Sequence, residues 1–474
     1  MVFSSTIFLL LFLPVVVTLY FFSDKKYKNW VLLLSSVFFY SWGGPKFIAV
    51  ILFTTALDFF LVTRLHDSKS PLQRKLFLIL SLFLNLGLLF YFKYCNFFIE
   101  NVNALFGAVG INEISWTKVV LPIGISFYTF ESLTYVIDVY RRVHAPLKNF
   151  WEYQLYILFF PKLIAGPIVR YHDISDQLTN RFSTHSSTLI FNGVFRFTVG
   201  LAKKVLIANV FAEIADEVYL LPFDQLNSTD AWLGSLAYTF QIYFDFSGYS
   251  DMALGLAMIF GFRLPENFNN PYISLSITEF WRRWHISLGS WMRNYLYIPL
   301  GGNKVDSKSR LYFNLWVVFL ISGLWHGASW SFVFWGVFHG AFLVLERMGL
   351  EKVYSKIPIA LNLFLVFIII NISWVFFRAE TLEQGFAFCA SLFSFDFSQS
   401  TFRLDEQRIF YYFLAFLFVW VWRSRKFYQW QEKLLNKELS DYFVSKSLLI
   451  FFLFFLSLVF VVSSDYNPFI YFRF

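Results

Sequence analysis

The sequence predicts an all-α polytopic membrane protein with broken or re-entrant pieces and interfacial helices, and three observations carry that prediction. Of the 474 residues, 57% are hydrophobic and only 15% charged, against roughly 25% charged in soluble domains, so most side chains must face lipid or one another. Phe supplies 66 residues, with 16 Trp and 26 Tyr; phenylalanines suit helix exteriors against acyl chains, and the larger amphipathic rings suit interfaces and pocket walls. The charges fall between apolar runs of helical length, and the run 311–345 contains no Asp, Glu, Lys or Arg at all. The net charge of +8 is read as cytoplasmic-side Lys and Arg, and the dispersal of the basic residues gives no nucleic-acid footprint. Cys95 and Cys389 lie in apolar segments, so neither a disulfide framework nor a thiolate metal site is expected.

Residues 5–22 form the first expected span. No charge precedes Asp24, so the basic start of a cleavable signal peptide is missing and the span is expected to be retained, starting outside. Lys25, Lys26 and Lys28 hold the next loop inside, and 29–45 and 47–63 are two further spans, the second carrying Asp58. Arg64, Lys69, Arg74 and Lys75 mark another inside loop; 76–92 is a fourth span, and 96–116 is assigned outside.

The centre is less regular. Segment 121–142 has helical length but holds Pro122, Glu131 and Asp138, and ends at Arg141 and Arg142 inside. In 151–171, Pro161, Gly166 and Pro167 should break any helix. Broken backbone at membrane depth survives only where protein or a cavity covers it, which predicts a re-entrant or cavity-lining piece. A helix over 188–212 holds Lys203 and Lys204, a polar loop is expected over 213–229, and from 231 the chain returns with Gln241, Asp245 and Asp251 among aromatics. Gly248 is expected to mark a helix boundary between the two aspartates.

A turn is expected near 264–271, where Asn267 lies, and Ser276 with Glu279 has the spacing of a capping box. From there the sequence TEFWRRWHISLGSWM reads as a helix at the cytosolic interface, with Phe280, Trp284, Leu288 and Trp291 along one side and Arg282, Arg283 and Arg293 reaching toward headgroups. Helical spacing would stack His285 on the edge of Trp281. The 35 uncharged residues that follow far exceed a hydrocarbon core of about 30 Å at 1.5 Å per residue. They must therefore be two pieces or one bent piece, and Gly323, Gly327 and Ser329 in SGLWHGASW permit the break, leaving Trp325 and His326 at a discontinuity. His339 is expected to pack in the core. Spans at 357–377, 409–421 and 447–464 follow, with a partly inserted segment at 385–397 and the tail SSDYNPFIYFRF outside. Roughly eleven to thirteen membrane segments result by the helix-length rule.

Imidazole titrates near neutrality and accepts a hydroxyl proton, so His285 and His326 in apolar surroundings suit acyl transfer with direct attack by an acceptor hydroxyl. Each also has a structural reading, as a donor to a backbone carbonyl. FSGYSD is not a G-x-S-x-G elbow and no H-E-x-x-H is present, so neither a covalent serine nor a bound metal is indicated. Arg282 and Arg283 serve equally to anchor at headgroups or to hold donor phosphates; Asp245 and Asp251 fit helix–helix hydrogen bonding as well as a functional role. A transporter or flippase also has broken helices with buried polar groups, though no internal repeat is visible between the halves.

The blocks LPIGISFYTFESLTYVIDVYR, FFPKLIAGPIVR, YFDFSGYSDMALGLAMIFGF, PENFNNPY, TEFWRRWHISLGSWMRNYLYIPLGG, LWHGASW and WVFFRAETLEQ, reaching from about 121 to 384, resemble the membrane-bound O-acyltransferase superfamily. The resemblance is to its bacterial branch of alginate O-acetyltransferase membrane subunits and, more distantly, to the D-alanyl transferases of teichoic acid modification; the tail NPFIYFRF is also similar to the alginate branch. The resemblance implies one integral membrane domain over 1–474, a ring of helices around a central funnel, and a multi-pass protein of the bacterial inner membrane; the charge placement puts both termini extracytoplasmic. It implies His326 as the catalytic histidine and His285 as the second histidine near the reaction centre. Asp245, Asp251, Asn267, Trp281, Arg282, Arg283, Trp284 and Trp325 are the expected binding or funnel-lining residues. It further implies an acyl thioester donor such as acetyl-CoA with no tightly bound cofactor, and an extracytoplasmic SGNH-hydrolase-like partner among polysaccharide-modification proteins.

Overall fold

The computed structural model describes residues 1–183, 185–222, 225–397, 402–436, 443–464 and 466–470. Every regular element among them is helical. The chain divides into two compact units, one of residues 1–193 with 256–265, the other of 194–255 with 266–474.

The first unit contains α1 (Phe8–Phe22), α2 (Lys28–Gly43), α3 (Ile48–Asp67), α4 (Pro71–Ala108), α5 (Ile125–Tyr140), α6 (Phe150–Leu158), α7 (Phe160–Leu163) and α8 (Tyr171–Asn180). The outside loop expected at 96–116 is largely helix. No proline lies between Pro71 and Pro122, so nothing removes a backbone donor, and α4 runs on until Gly110 takes a left-handed φ of 75°. There the Ile111 N–H reaches back to the Phe106 carbonyl at 2.9 Å, which satisfies the terminal carbonyls in a Schellman-type ending. At 38 residues α4 is roughly 57 Å long by the helical rise, so it must extend beyond the hydrocarbon.

Polar groups in this unit are satisfied in pairs. The Asp58 carboxylate accepts from Ser81 and, at 2.6 Å, from Asn85, which joins α3 to α4. The break expected in 151–171 is present between α6 and α8, and its freed groups are covered: Glu131 of α5 pairs with the buried Lys162 and accepts from the Val169 N–H at 3.3 Å. Protein thus supplies the partners that lipid cannot.

Two long helices come next in the chain. The first is α9 (Ser187–Ala202), which a π-turn extends through Lys203–Ala208 into α10 (Asn209–Tyr219); the polar loop expected from 213 therefore begins later. The second is α11 (Ser228–Ile259), and Gly248 is not a boundary within it. A Cβ on Gly248 would meet the Gly200 carbonyl oxygen at 2.8 Å, and one on Gly200 would meet the Gly248 carbonyl oxygen at 2.5 Å. Gly248 is there because α9 and α11 cross backbone to backbone.

The second unit continues with α12 (Ile277–Arg283), α13 (Ile286–Met292), α14 (Lys308–His326), α15 (Trp330–Leu345), α16 (Ile359–Arg378), α17 (Leu382–Leu392), α18 (Glu406–Trp420), α19 (Arg425–Asn436) and α20 (Phe443–Ser463). The uncharged run divides as expected into α14 and α15. They pack through glycine: a Cβ on Gly323 would lie 2.3 Å from the Phe332 carbonyl oxygen, and one on Gly336 2.5 Å from that of Phe319. Of the C-terminal tail, residues 471–474 and Asp465 lie outside the described residues.

Among the described residues, five helices are long and apolar enough to cross a membrane: Ile48–Asp67, Pro71–Ala108, Trp330–Tyr354, Ile359–Arg378 and Phe443–Ser463. This is fewer than the segments counted from the sequence, because several of those are short, broken or polar helices. In α5 nearly every side chain is buried against protein, Glu131 and Asp138 among them.

Candidate active site

The segment read as one interfacial helix is two. Ser276 caps α12 as expected, accepting from the Glu279 N–H at 2.9 Å, and Glu279 reaches back to the Leu275 N–H at 2.9 Å. A second carboxylate completes that end: buried Glu346 accepts from Ile277 N–H at 2.6 Å, Thr278 N–H at 2.9 Å and the Thr278 hydroxyl at 2.6 Å. A helix N-terminus favours this placement of negative charge. The helix then stops at Arg283, because His285 takes a left-handed conformation, φ 46° and ψ 53°. A non-glycine residue pays roughly 1–2 kcal/mol for that conformation, and a bond from outside the helix offsets it: Ile286 N–H donates to the Asn267 carbonyl at 3.0 Å. The neighbouring Asn269 N–H donates to the Arg283 carbonyl at 2.9 Å. The PENFNNPY segment thus runs alongside the break and takes up the backbone groups it frees.

The turn at His285 separates it from Trp281, contrary to the helical spacing. Trp281 instead donates its indole N–H to Nδ1 of His339 at 3.2 Å, which gives His339 its core role. The His285 ring packs edge-on against Phe246, with centroids 4.7 Å apart, and lies 6.0 Å from Trp325 and 6.4 Å from His326. Its Nδ1 faces Oδ1 of Asn267 at 3.0 Å.

His326 is the last residue of α14, at the break that the glycines predicted. It is buried within a cage of Trp325, Trp335 and Phe377, at centroid distances of 4.9, 5.2 and 5.1 Å. Gly327 follows in extended conformation, and a Cβ there would meet the Phe332 ring at 2.1 Å, so only glycine lets the chain turn directly after the histidine.

The two histidines face different spaces. His285 lines a cavity of about 350 Å³ together with Trp281, Ser322 and the arginines Arg282, Arg293 and Arg347. His326 lines a much smaller cavity of about 10 Å³, bounded by Trp284, Trp374, Phe377 and Ile470. The two rings lie 6.4 Å apart, centroid to centroid, each at the wall of its own cavity.

The remaining expected residues separate by contact. Arg282 lines the wide cavity, whereas Arg283 is tied to Glu279 at 2.9 Å and to the Asn269 carbonyl at 3.1 Å. Trp284 stacks on Phe280 and packs 4.9 Å from Trp374. Asp251 pairs with Lys203 at 2.7 Å and Arg196 at 3.0 Å. Asp245 pairs with Lys204 at 3.1 Å and accepts from the Ile470 N–H at 3.0 Å. Neither aspartate lines either cavity. Arg347, Ser322 and Glu346 were not singled out from the sequence. Ser322 was accessible as the residue one turn before His326, and Glu346 and Arg347 as the first charges after the uncharged run. Among the described residues no group of three or more His, Cys, Asp or Glu side chains is placed to hold a metal ion.

The site of this helical protein thus holds two adjacent buried histidines, one of them at a cavity that Arg282, Arg293 and Arg347 also line. Residues 141–379 match the membrane-bound O-acyltransferase family, and the chain belongs to that family. It is 43% identical over 433 residues to a probable alginate O-acetylase of Azotobacter vinelandii, covering 90% of this chain and 86% of that protein. A probable alginate O-acetylase of Pseudomonas aeruginosa is 44% identical over 86% of this chain and 76% of its own length. The peptidoglycan O-acetyltransferase of Helicobacter pylori is 37% identical over 81% of this chain and 78% of its own. The protein is thus a polytopic membrane O-acyltransferase, and the transporter reading falls away.

Proposed function

We propose that the protein moves an acetyl group from a cytosolic thioester, acetyl-CoA being the simplest, toward hydroxyls of an extracytoplasmic polysaccharide, directly or through an SGNH-hydrolase-like partner. The observation that carries this reading is the histidine pair 6.4 Å apart, with an arginine-bearing cavity on one side and a small aromatic one on the other. Three guanidiniums suit the phosphates of a nucleotide-bearing donor, since each offers a planar fork of donors. Basic residues also favour the cytosolic face. The relatives named above are two probable alginate O-acetylases and a peptidoglycan O-acetyltransferase, which supports a polymer acceptor.

In the proposed reaction the acceptor oxygen attacks the thioester carbonyl while His326 takes the hydroxyl proton. The tetrahedral adduct collapses to the ester, and the departing thiolate recovers the proton from His326. His285 and the tryptophans around the pair orient the donor. Removing a general base costs about 10²–10⁴-fold, so a His326→Ala protein that inserts normally should lose transfer on that scale, and His285→Ala should lose less. Full transfer by His326→Ala would sink the proposal. Supplying the membrane complex with labelled acetyl-CoA or with an alanyl-charged carrier, and asking which label reaches polymer, decides between acetyl and D-alanyl transfer.

A further inference from the structure

Asn267 is the residue on which the segment around His285 converges. Its Oδ1 accepts from the Ser287 N–H at 3.3 Å and the Ser287 hydroxyl at 2.9 Å, and its Nδ2 donates to the Ser250 hydroxyl at 3.0 Å. A backbone N–H only donates, so the atom turned toward Ser287 is the carbonyl oxygen of the carboxamide. The same oxygen faces His285 Nδ1 at 3.0 Å. Two acceptors cannot bond, so Nδ1 carries the hydrogen, and in a neutral imidazole the lone pair is then on Nε2. That Nε2 is buried and has no hydrogen-bond partner among the described residues. Asn267 lines neither cavity, whereas His285 lines the wide one. A buried ring nitrogen without a partner is costly, and it belongs to a residue that borders the wide cavity.

We infer that Asn267 is a positioning residue for acyl transfer: it holds His285 in the Nδ1–H tautomer, so that Nε2 accepts a hydrogen bond from an N–H or O–H of the bound substrate. The inference rests on the acyltransferase reading of the histidine pair. It gives the left-handed turn at His285 a purpose, because that turn sets the ring beside Asn267 where a continuous helix would have set it against Trp281.

The test is the ¹⁵N-histidine spectrum of the full-length protein in nanodiscs, with His285 assigned by its disappearance in His285→Gln, alongside turnover of acetyl-CoA. Expected are an unprotonated Nε2 in the wild type, a changed tautomer ratio in Asn267→Leu with kcat/KM at least about tenfold lower, and recovery of both in Asn267→Asp, which keeps an oxygen toward Nδ1. A protonated Nε2 in the wild type overturns the inference, as does an unchanged spectrum in Asn267→Leu, or Asn267→Asp failing as completely as Asn267→Leu. The spectrum needs no turnover, so its result is independent of whether His326 is the base.

Discussion

Lys204 and Asp245 form a buried pair 3.1 Å apart, and both hold the C-terminal segment: Lys204 donates to the Pro468 carbonyl, and Asp245 accepts the Ile470 N–H. Removing one partner of such a pair leaves a buried charge alone, at a cost of about 3–5 kcal/mol. Asp245→Leu should therefore lower the thermal midpoint of the solubilised protein sharply. Lys204→Met combined with Asp245→Leu should recover part of the loss, and a double variant no better than the single would show that the pair is not what stabilises this region.

The three bonds to Glu346 hold the N-terminus of α12, and with it Trp281 and Arg282 at the wide cavity. Hydrogen bonds to a charged group contribute about 1.5–3 kcal/mol each. Glu346→Ala is expected to lower both stability and transfer, with Glu346→Gln intermediate because one oxygen remains. Thermal unfolding followed by size exclusion reads the first effect, and labelled acetyl incorporation the second.

The backbone crossing at Gly200 and Gly248 leaves no room for a methyl group. Alanine at either position should destabilise by about 1–3 kcal/mol, the range for overpacking, because the clashing atoms are backbone and cannot rotate away. Gly87, with nothing within 4 Å of its Cβ position, is the control, and its alanine variant should keep the wild-type midpoint.

Arg282 and Arg283 are adjacent in sequence and differ in task. Arg282→Ala and Arg347→Ala should raise the KM for acetyl-CoA by roughly tenfold with a smaller change in kcat, as loss of uniform binding does. Arg283→Ala, outside the cavity, should leave KM unchanged; equal effects at all three positions would argue for a general loss of basic surface.

The charge pattern predicts that the loops at Lys26, Ser70 and Ser424 face the cytosol. Cysteines introduced there, in a chain with Cys95 and Cys389 replaced, should react with an impermeant maleimide only after the cytosolic face is opened. Labelling of any one from outside reverses that part of the topology.

Much of the site was legible in the sequence, for identifiable reasons. SGLWHGASW announced a break because 35 uncharged residues cannot form one span, and glycine can turn where other residues cannot. The break at His285 had no such sign: it lacks Gly and Pro, and it depends on Asn267, 18 positions away. Likewise the roles of Asp245 and Asp251 rest on Lys204, Lys203 and Arg196, some 40 to 55 residues earlier, a separation that helical periodicity does not see. The length of α4 was misread because charge placement, and not the absence of proline, was used to end it.

Under the proposed reaction, the small space beside His326 would act as a ruler on the acyl group. About 10 Å³ is about the room one water needs, and its walls are the rings of Trp284, Trp374 and Phe377 with the side chain of Ile470. With the thioester carbonyl between the histidines, as proposed, the methyl of an acetyl group meets this space first, and each further methylene must push against interlocked aromatics. Discrimination of about 10–200-fold per methylene would then come from shape, without any residue having to recognise acetate.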